Sequence, residues 1–373
     1  MSISAISPPT VTSECQNTTN VLLTAILAIV AFTGGSFMHV DAQTSEANSK
    51  WNDLPPLPQS IAGQCVGTLG DMLVVAGGSS WTNAPWNGGT KHWSDDVIAL
   101  APGSRSWQLI GHLTRPSGYG TAVQAGKNLL CIGGQDATQT FNTVIQLGLD
   151  GGKLTVRDLP HLPRPITNAS AAVAGGKVYV VGGQHTLNAK DVSKEIWSLD
   201  VSNPTKFGAW KEEPVSPWQH ARILPVVAAC GDDLFVASGA DLVADQEGTS
   251  HRVNLSDAWL LKAGNKWERL PDSPAPIVGA PSLCDGHGSI LVFGGDDGQF
   301  TDQVFILKDR HPGFSLQTRL FNLHDSKWSL GPVLPLSLVT TGATLWNSRY
   351  VIAGGEPQPG HRSDRVIALS IGN

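Results

Sequence analysis

Apolar residues in this chain gather in short runs, and the runs end alike. LVVAGG (73–78), LLCIGG (129–134), VYVVGG (178–183), ILVFGG (290–295) and YVIAGG (350–355) each read as a buried strand stopped by a glycine pair. FVASG (235–239) is a degenerate sixth copy. Five nearly equal intervals separate Gly77 from Gly354, so the chain repeats itself about every 55 residues, a signature of repeat architectures. Two further markers keep the same register. A Trp or its equivalent (Trp51, Trp107, Val156, Trp210, Trp267, Trp328) lies at a nearly constant offset upstream of each pair. An alternating segment follows downstream: DDVIAL, NTVIQL, KEIWSL, SDAWLL, TDQVFIL, SDRVIAL. Alternation of this kind predicts half-buried strands, and these segments are expected to be the third strand of each copy.

Each copy therefore predicts four short strands. In the second they fall near 120–125, at 128–132, at 143–147 and from Val156 onward. A single such sheet cannot bury both of its faces, whereas six arranged radially cover one another and leave only short edges. Strand, Gly-Gly, alternating strand, then Trp resembles the kelch repeat, over residues 51–373. The resemblance implies an all-β fold, a six-bladed kelch-type β-propeller. The strand at Trp51 has no three strands before it, and the last copy, ending at 364–370, has no Trp after it. The N-terminal strand is thus expected to complete the C-terminal blade and close the ring.

Composition agrees and narrows the function. The 373 residues include 41 Gly and 24 Pro, too many for a fold of long helices. A net charge of −6 without Lys/Arg runs argues against nucleic acid as a partner. Residues 1–42 stand apart. The apolar run 21–32 (VLLTAILAIVAF) is followed by Val40-Asp41-Ala42, the pattern of a secretory signal peptide, and 43–50 read as a linker. Cleaved, the chain is exported, to a periplasm or beyond. Uncleaved, the segment is a membrane anchor. Besides Cys15 in this leader, Cys65, Cys131, Cys230 and Cys284 are scattered singly and read as buried free thiols.

Connections between strands two and three should share a face with the interblade segments, and long loops there are candidates for function. Repetition separates structural residues from unusual ones. Asp95, Asp257, Asp302 and Asp364 recur before the third strand and read as turn residues, and the repeat-position Trp residues as packing. Two segments break the pattern. SSWTNAPWNGGTKHWS (79–94) inserts three Trp and His92, and exposed rings suit the CH faces of a sugar. Otherwise they pack over a neighbouring blade or form a subunit contact, which would make a homodimer. The second is GGEPQPGHRSD (354–364). The other copies carry Ser79, Gln135, Gln184, Ala240 and Asp296 after the glycine pair. Here it is Glu356, on a loop stiffened by two prolines, with Arg362 at its far end.

Gly-Glu-x-x-Pro-Gly-x-Arg-Ser-Asp resembles the motif of the N-acetylneuraminate epimerases, or sialic acid mutarotases, in a cyclically permuted order. The resemblance implies exchange of the α and β anomers of a sialic acid, with Glu356 and Arg362 as catalytic residues. Opening the hemiketal requires a base at the anomeric hydroxyl and an acid at the ring oxygen, and one carboxyl can serve both steps. Arg362 would clamp the substrate carboxylate through its planar fork, or else orient Glu356 as an ion pair. Tyr119 and Asn168 hold the same offset ahead of their glycine pairs, Gly133-Gly134 and Gly182-Gly183, and are expected near the axis as substrate contacts. Trp86, His92 and His361 are further candidates. Where the family has an Arg shortly before the residue matching Tyr119, this chain has Ser117, and Arg115 is the nearest replacement. The chemistry calls for no cofactor and no metal. The alternative is a non-catalytic propeller that binds a glycan or a protein. A copper radical oxidase is disfavoured by having only Tyr119, Tyr179 and Tyr350, the last two in strands expected to be buried.

Overall fold

The apolar runs form the second strand of every sheet because they can be buried on both sides. A computed structural model describes residues 50–370, apart from 205, 215, 264 and 265. The leader of 1–42, nearly all of the 43–50 linker and Cys15 lie outside the described residues. Six four-stranded antiparallel sheets follow one another in the order read from the repeat. The first blade comprises Cys65–Leu69, Met72–Ala76, Asp96–Leu100 and Gln108–His112. The second begins at Thr121–Ala125, the third at Ser170–Ala174, the fourth at Val226–Cys230 and the fifth at Ser282–Cys284.

The sixth blade confirms the predicted closure. Ala343–Trp346, Arg349–Gly355 and Ser363–Ser370 are joined by Lys50–Leu54 as the fourth strand. Trp51 pairs with Leu369 and Leu54 with Val366, and Arg365 donates to the Asp53 carboxylate at 2.8 Å.

The core sits between blades, because strand side chains alternate in direction. Val75 packs with Val351 and Ala353 of the sixth blade, while its neighbours Val74 and Ala76 pack with Leu129 and Cys131 of the second. The same split divides Val178 and Val180 from Tyr179 and Val181, and Ile290 and Val292 from Leu291 and Phe293. Three of the repeat tryptophans tie their blade to the one before. Trp107, Trp210 and Trp328 donate their indole N–H to the carbonyls of Pro55, Pro160 and Pro271 at 2.7–3.0 Å.

Two expectations are corrected. TDQVFIL is not the third strand of the fifth blade. Residues 301–310 form short helical turns, with Phe305 and Ile306 79% and 69% exposed. Thr318–Asn322 takes the place beside Ser289–Phe293. The first amide of the glycine-pair position is bonded to a carbonyl at or just ahead of the third strand: Asp96 for Gly77, Asp257 for Ser238, and Gln317 for Gly294. Asp302 therefore belongs to an insertion, and its alternating neighbours mimic the strand that comes later, at Thr318. The cysteines divide as well. Cys65 and Cys131 are buried free thiols, but Cys230 and Cys284 form a disulfide, with Cα atoms 5.5 Å apart. They end the innermost strands of adjacent blades, so one blade period brings them face to face.

At the centre, one residue per blade carries a left-handed φ: Gly63, Tyr119, Asn168, Leu224, Gly279 and Thr340. Each donates its N–H to the carbonyl of its counterpart in the preceding blade. Gly63 donates to Thr340 at 2.7 Å and so completes a circle of six hydrogen bonds. These residues line an axial channel of about 130 Å³.

The disulfide holds the fourth and fifth blades together near the axis. Replacing Cys230 and Cys284 with serine should lower the unfolding free energy by about 2–4 kcal/mol. The measure is the midpoint of urea unfolding, and an unchanged midpoint would show that the ring does not depend on this bond.

Candidate functional site

The residue after each glycine pair forms an isolated antiparallel bridge to the residue just before the axial ring position. The six bridges join Ser79 to Ala62, Gln135 to Gly118, Gln184 to Thr167, Ala240 to Ile223, Asp296 to Val278 and Glu356 to Val339. Backbone groups are thereby satisfied, and the side chains are set around the mouth of the channel. Several reach ring residues. Ser79 Oγ donates to Tyr119 Oη at 3.2 Å, Asn168 Nδ2 to Gln184 Oε1 at 3.1 Å, and Thr340 Oγ1 to Glu356 Oε1 at 3.2 Å.

The loop after Glu356 is shaped by its sequence. Pro357 and Pro359 restrict φ, and Gly360 takes φ +75°. A Cβ at Gly360 would stand 2.7 Å from the Trp86 ring, so both conformation and contact require glycine there. The chain then returns Arg362 to Glu356. Arg362 Nη1 lies 2.8 Å from Glu356 Oε1, and Nη2 donates to Tyr119 Oη at 2.6 Å. The Arg362 and Glu356 side chains are 5% and 14% exposed. Arg362 is therefore engaged by Glu356 and Tyr119 together. Burial, with the nearby Glu356 charge, pushes the Tyr119 hydroxyl up to about 12 against the opposing effect of Arg362.

The inserted hairpin of the first blade, Ser79–Trp81 with Lys91–Trp93, adds a cation. Lys91 Nζ stands 4.2, 4.6 and 5.6 Å from the ring centroids of Tyr119, Trp93 and Trp81. Burial and the Arg362 charge bring its pKa down to about 8, while Glu356 opposes the shift.

Glu356 and Thr340 also line a cavity of about 240 Å³ with Asp296, Arg252, His311, Phe300, Phe314 and Gly360. Its other walls come from segments the repeat does not contain. Arg252 belongs to a hairpin of the fourth blade, Ala240–Ala244 with Ser250–Asn254, and His311 to the insertion of the fifth.

The other predicted residues separate. Trp86 and His361 have ring centroids 5.9 Å apart, and both turn to Asp309 of the fifth-blade insertion. Trp86 Nε1 donates to Asp309 at 2.8 Å, Asn87 Nδ2 at 3.1 Å, and His361 Nε2 lies 2.9 Å away. These hydrogen bonds hold the Asp309 carboxyl below the usual carboxylate range, and the three excursions are clasped together. His92 is exposed on the hairpin, opposite Ser80. Arg115 is exposed with its guanidinium 4.9 Å from the Phe141 ring centroid, and it is not among the residues lining the cavity. Asn168 lines the channel through its ring position. Lys91, Arg252, Asp296 and His311 were not anticipated. Asp296 alone had a signal, an acid at the repeat position of Glu356.

No protein-family model matches the chain. Curated proteins named N-acetylneuraminate epimerase do resemble it. That of Brucella suis is 35% identical over 125 residues, 29% of this chain and 32% of that protein, so the match spans about a third of the relative. That of Haemophilus influenzae is 25% identical over 360 residues, covering 85% of this chain and 91% of the other. A solved structure named "Structure of YjhT" superposes with a TM-score of 0.64 at 18% identity, over 86% of this chain and 97% of that one, and shares the fold.

Lys91 offers a direct test of this electrostatic arrangement. Its titration, followed by NMR of the side-chain Cε, should show a midpoint near pH 8. Glu356→Gln should move the midpoint lower, because the anion that favours the charged ammonium is gone. A midpoint near the ordinary 10.5, or one indifferent to Glu356→Gln, would contradict the arrangement.

Proposed function

We propose that this chain is an isomerase, a sialic acid mutarotase that interconverts the α and β anomers of N-acetylneuraminate, with Glu356 as general acid/base. The observation that carries this reading is the Glu356–Arg362 pair, nearly buried at the edge of a cavity beside the axial channel. The names of the relatives support it.

The chemistry follows from the positions. Glu356 takes the proton of the anomeric hydroxyl. The bond from the anomeric carbon to the ring oxygen breaks, the ring oxygen gains a proton, and the open 2-keto acid recloses on the opposite face. No atom is gained or lost, so no cofactor is required. Arg362 acts chiefly on Glu356: its guanidinium balances the carboxylate charge and fixes its direction. This favours orientation over a clamp on the substrate. Tyr119 accepts hydrogen bonds from Arg362 and Ser79 and keeps its own proton, so its O–H remains available as a donor.

Export belongs to the same proposal. The apolar leader supports it, and so does the Cys230–Cys284 disulfide, a bond that persists in oxidising compartments.

The test is anomer exchange, followed by NMR after rapid release of α-N-acetylneuraminate. Wild-type protein should accelerate equilibration, and Glu356→Gln should lose about 10²–10⁴-fold of that acceleration. Retention of wild-type acceleration by Glu356→Gln would overturn the assignment. Binding of the sugar without accelerated exchange would favour the alternative, a glycan-binding propeller.

A further inference from the structure

The repeat places a second carboxylate beside the first. Asp296 holds in the fifth blade the position that Glu356 holds in the sixth, bridged through its backbone to the residue before the axial ring. Each acid is paired with an arginine at 2.8 Å, Asp296 with Arg252 and Glu356 with Arg362. The two arginines differ in what remains of their hydrogen-bonding capacity. Arg362 is closed in, with one terminal nitrogen on Glu356 and the other on Tyr119.

Arg252 comes from the added hairpin of the fourth blade, and its side chain is 28% exposed. Its Nη2 donates to Asp296, while Nη1 has no hydrogen-bond partner among the described residues. Arg252 lines the cavity that Glu356 enters, and Arg362 does not. Asp296 is satisfied on both oxygens, accepting from Arg252 on Oδ2 and from the Gly298 amide on Oδ1, so its direction is fixed. Phe300, Phe314 and His311 line the same cavity. His311 Nδ1 accepts the Gly313 amide, which leaves Nε2 to carry the proton of a neutral ring, and burial lowers its pKa. The cavity thus offers a guanidinium with one free terminal nitrogen, already steered by Asp296, beside the Glu356 carboxylate and the rings of Phe300, Phe314 and His311, a set that suits a sugar acid.

We propose that Arg252 anchors the carboxylate of the substrate, and that Asp296 is a positioning residue that holds the Arg252 guanidinium toward the cavity. The proposal rests on the mutarotase reading for the identity of the sugar acid. It divides the two arginines between two tasks: Arg362 aligns the acid/base, and Arg252 aligns the substrate.

The experiment compares N-acetylneuraminate with its C1 methyl ester, which keeps the anomeric hydroxyl but lacks the negative charge. Binding of both is measured by calorimetry and exchange of both by NMR, with wild-type protein, Arg252→Gln and Arg252→Lys. Wild type should bind the acid about ten- to hundredfold more tightly than the ester, the worth of a charge-assisted hydrogen bond. Arg252→Gln should lose that preference, with the defect falling on KM more than on kcat. Arg252→Lys, which keeps a charge opposite Asp296 and so protects folding, should restore part of it. The proposal is overturned if wild type does not distinguish acid from ester, or if either variant that folds keeps the full wild-type preference. Failure of the mutarotase reading is separate. Wild type would then accelerate no exchange, while the dependence of acid binding on Arg252 would still decide the anchor.

Discussion

A closed circle of six backbone hydrogen bonds organises this molecule. Each blade contributes one residue in the left-handed region, and only Gly63 and Gly279 adopt that conformation without steric cost. Tyr119, Asn168, Leu224 and Thr340 adopt it at a cost of about 1–2 kcal/mol each. The circle offsets that cost, because each turn delivers an N–H to the preceding blade and a carbonyl to the next. Six interblade cores, the tryptophan-to-proline-carbonyl bonds and the strand at Trp51 then keep the circle closed from outside.

The same circle determines where chemistry can occur. Bridges between the ring segments and the residues after the glycine pairs fix six side chains around one opening. Four of these positions are filled by Ser79, Gln135, Gln184 and Ala240, and two adjacent ones by acids. What distinguishes one opening from six equal ones is the set of excursions from this face. The first, fourth and fifth blades extend hairpins or turns, and the sixth adds the proline-stiffened loop. Asp309 binds three of the four together by accepting from Trp86, Asn87 and His361. Trp86 and His361 therefore serve first to hold the walls of the site.

Charge around the opening runs against the protein as a whole. A chain with net charge −6 gathers Lys91, Arg362 and Arg252 around Glu356 and Asp296. One of the cations, Lys91, is held by aromatic faces rather than by a carboxylate. Low exposure strengthens each of these interactions relative to water.

The repeat was legible in the chain because its signals are local. An alternating strand, a glycine pair and a tryptophan each reflect what a short segment needs, so strand order, blade number and closure could be read without coordinates. Glu356 was legible for the same reason, as an acid on a stiffened loop unlike its counterparts in the other copies. The fifth blade misled because TDQVFIL satisfies the same local rule as a strand. Only competition with Thr318–Asn322 for one neighbour, a non-local contact, decides between them. Cys230 and Cys284, Arg252 with Asp296, Lys91 over Tyr119, and Asp309 with Trp86 each come from different blades, far apart in sequence. Nothing in one member specifies the other. Their pairing follows from the radial arrangement, which sets adjacent blades side by side and lets the fifth-blade insertion reach the first-blade hairpin at Trp86, and so it was settled by tertiary structure alone.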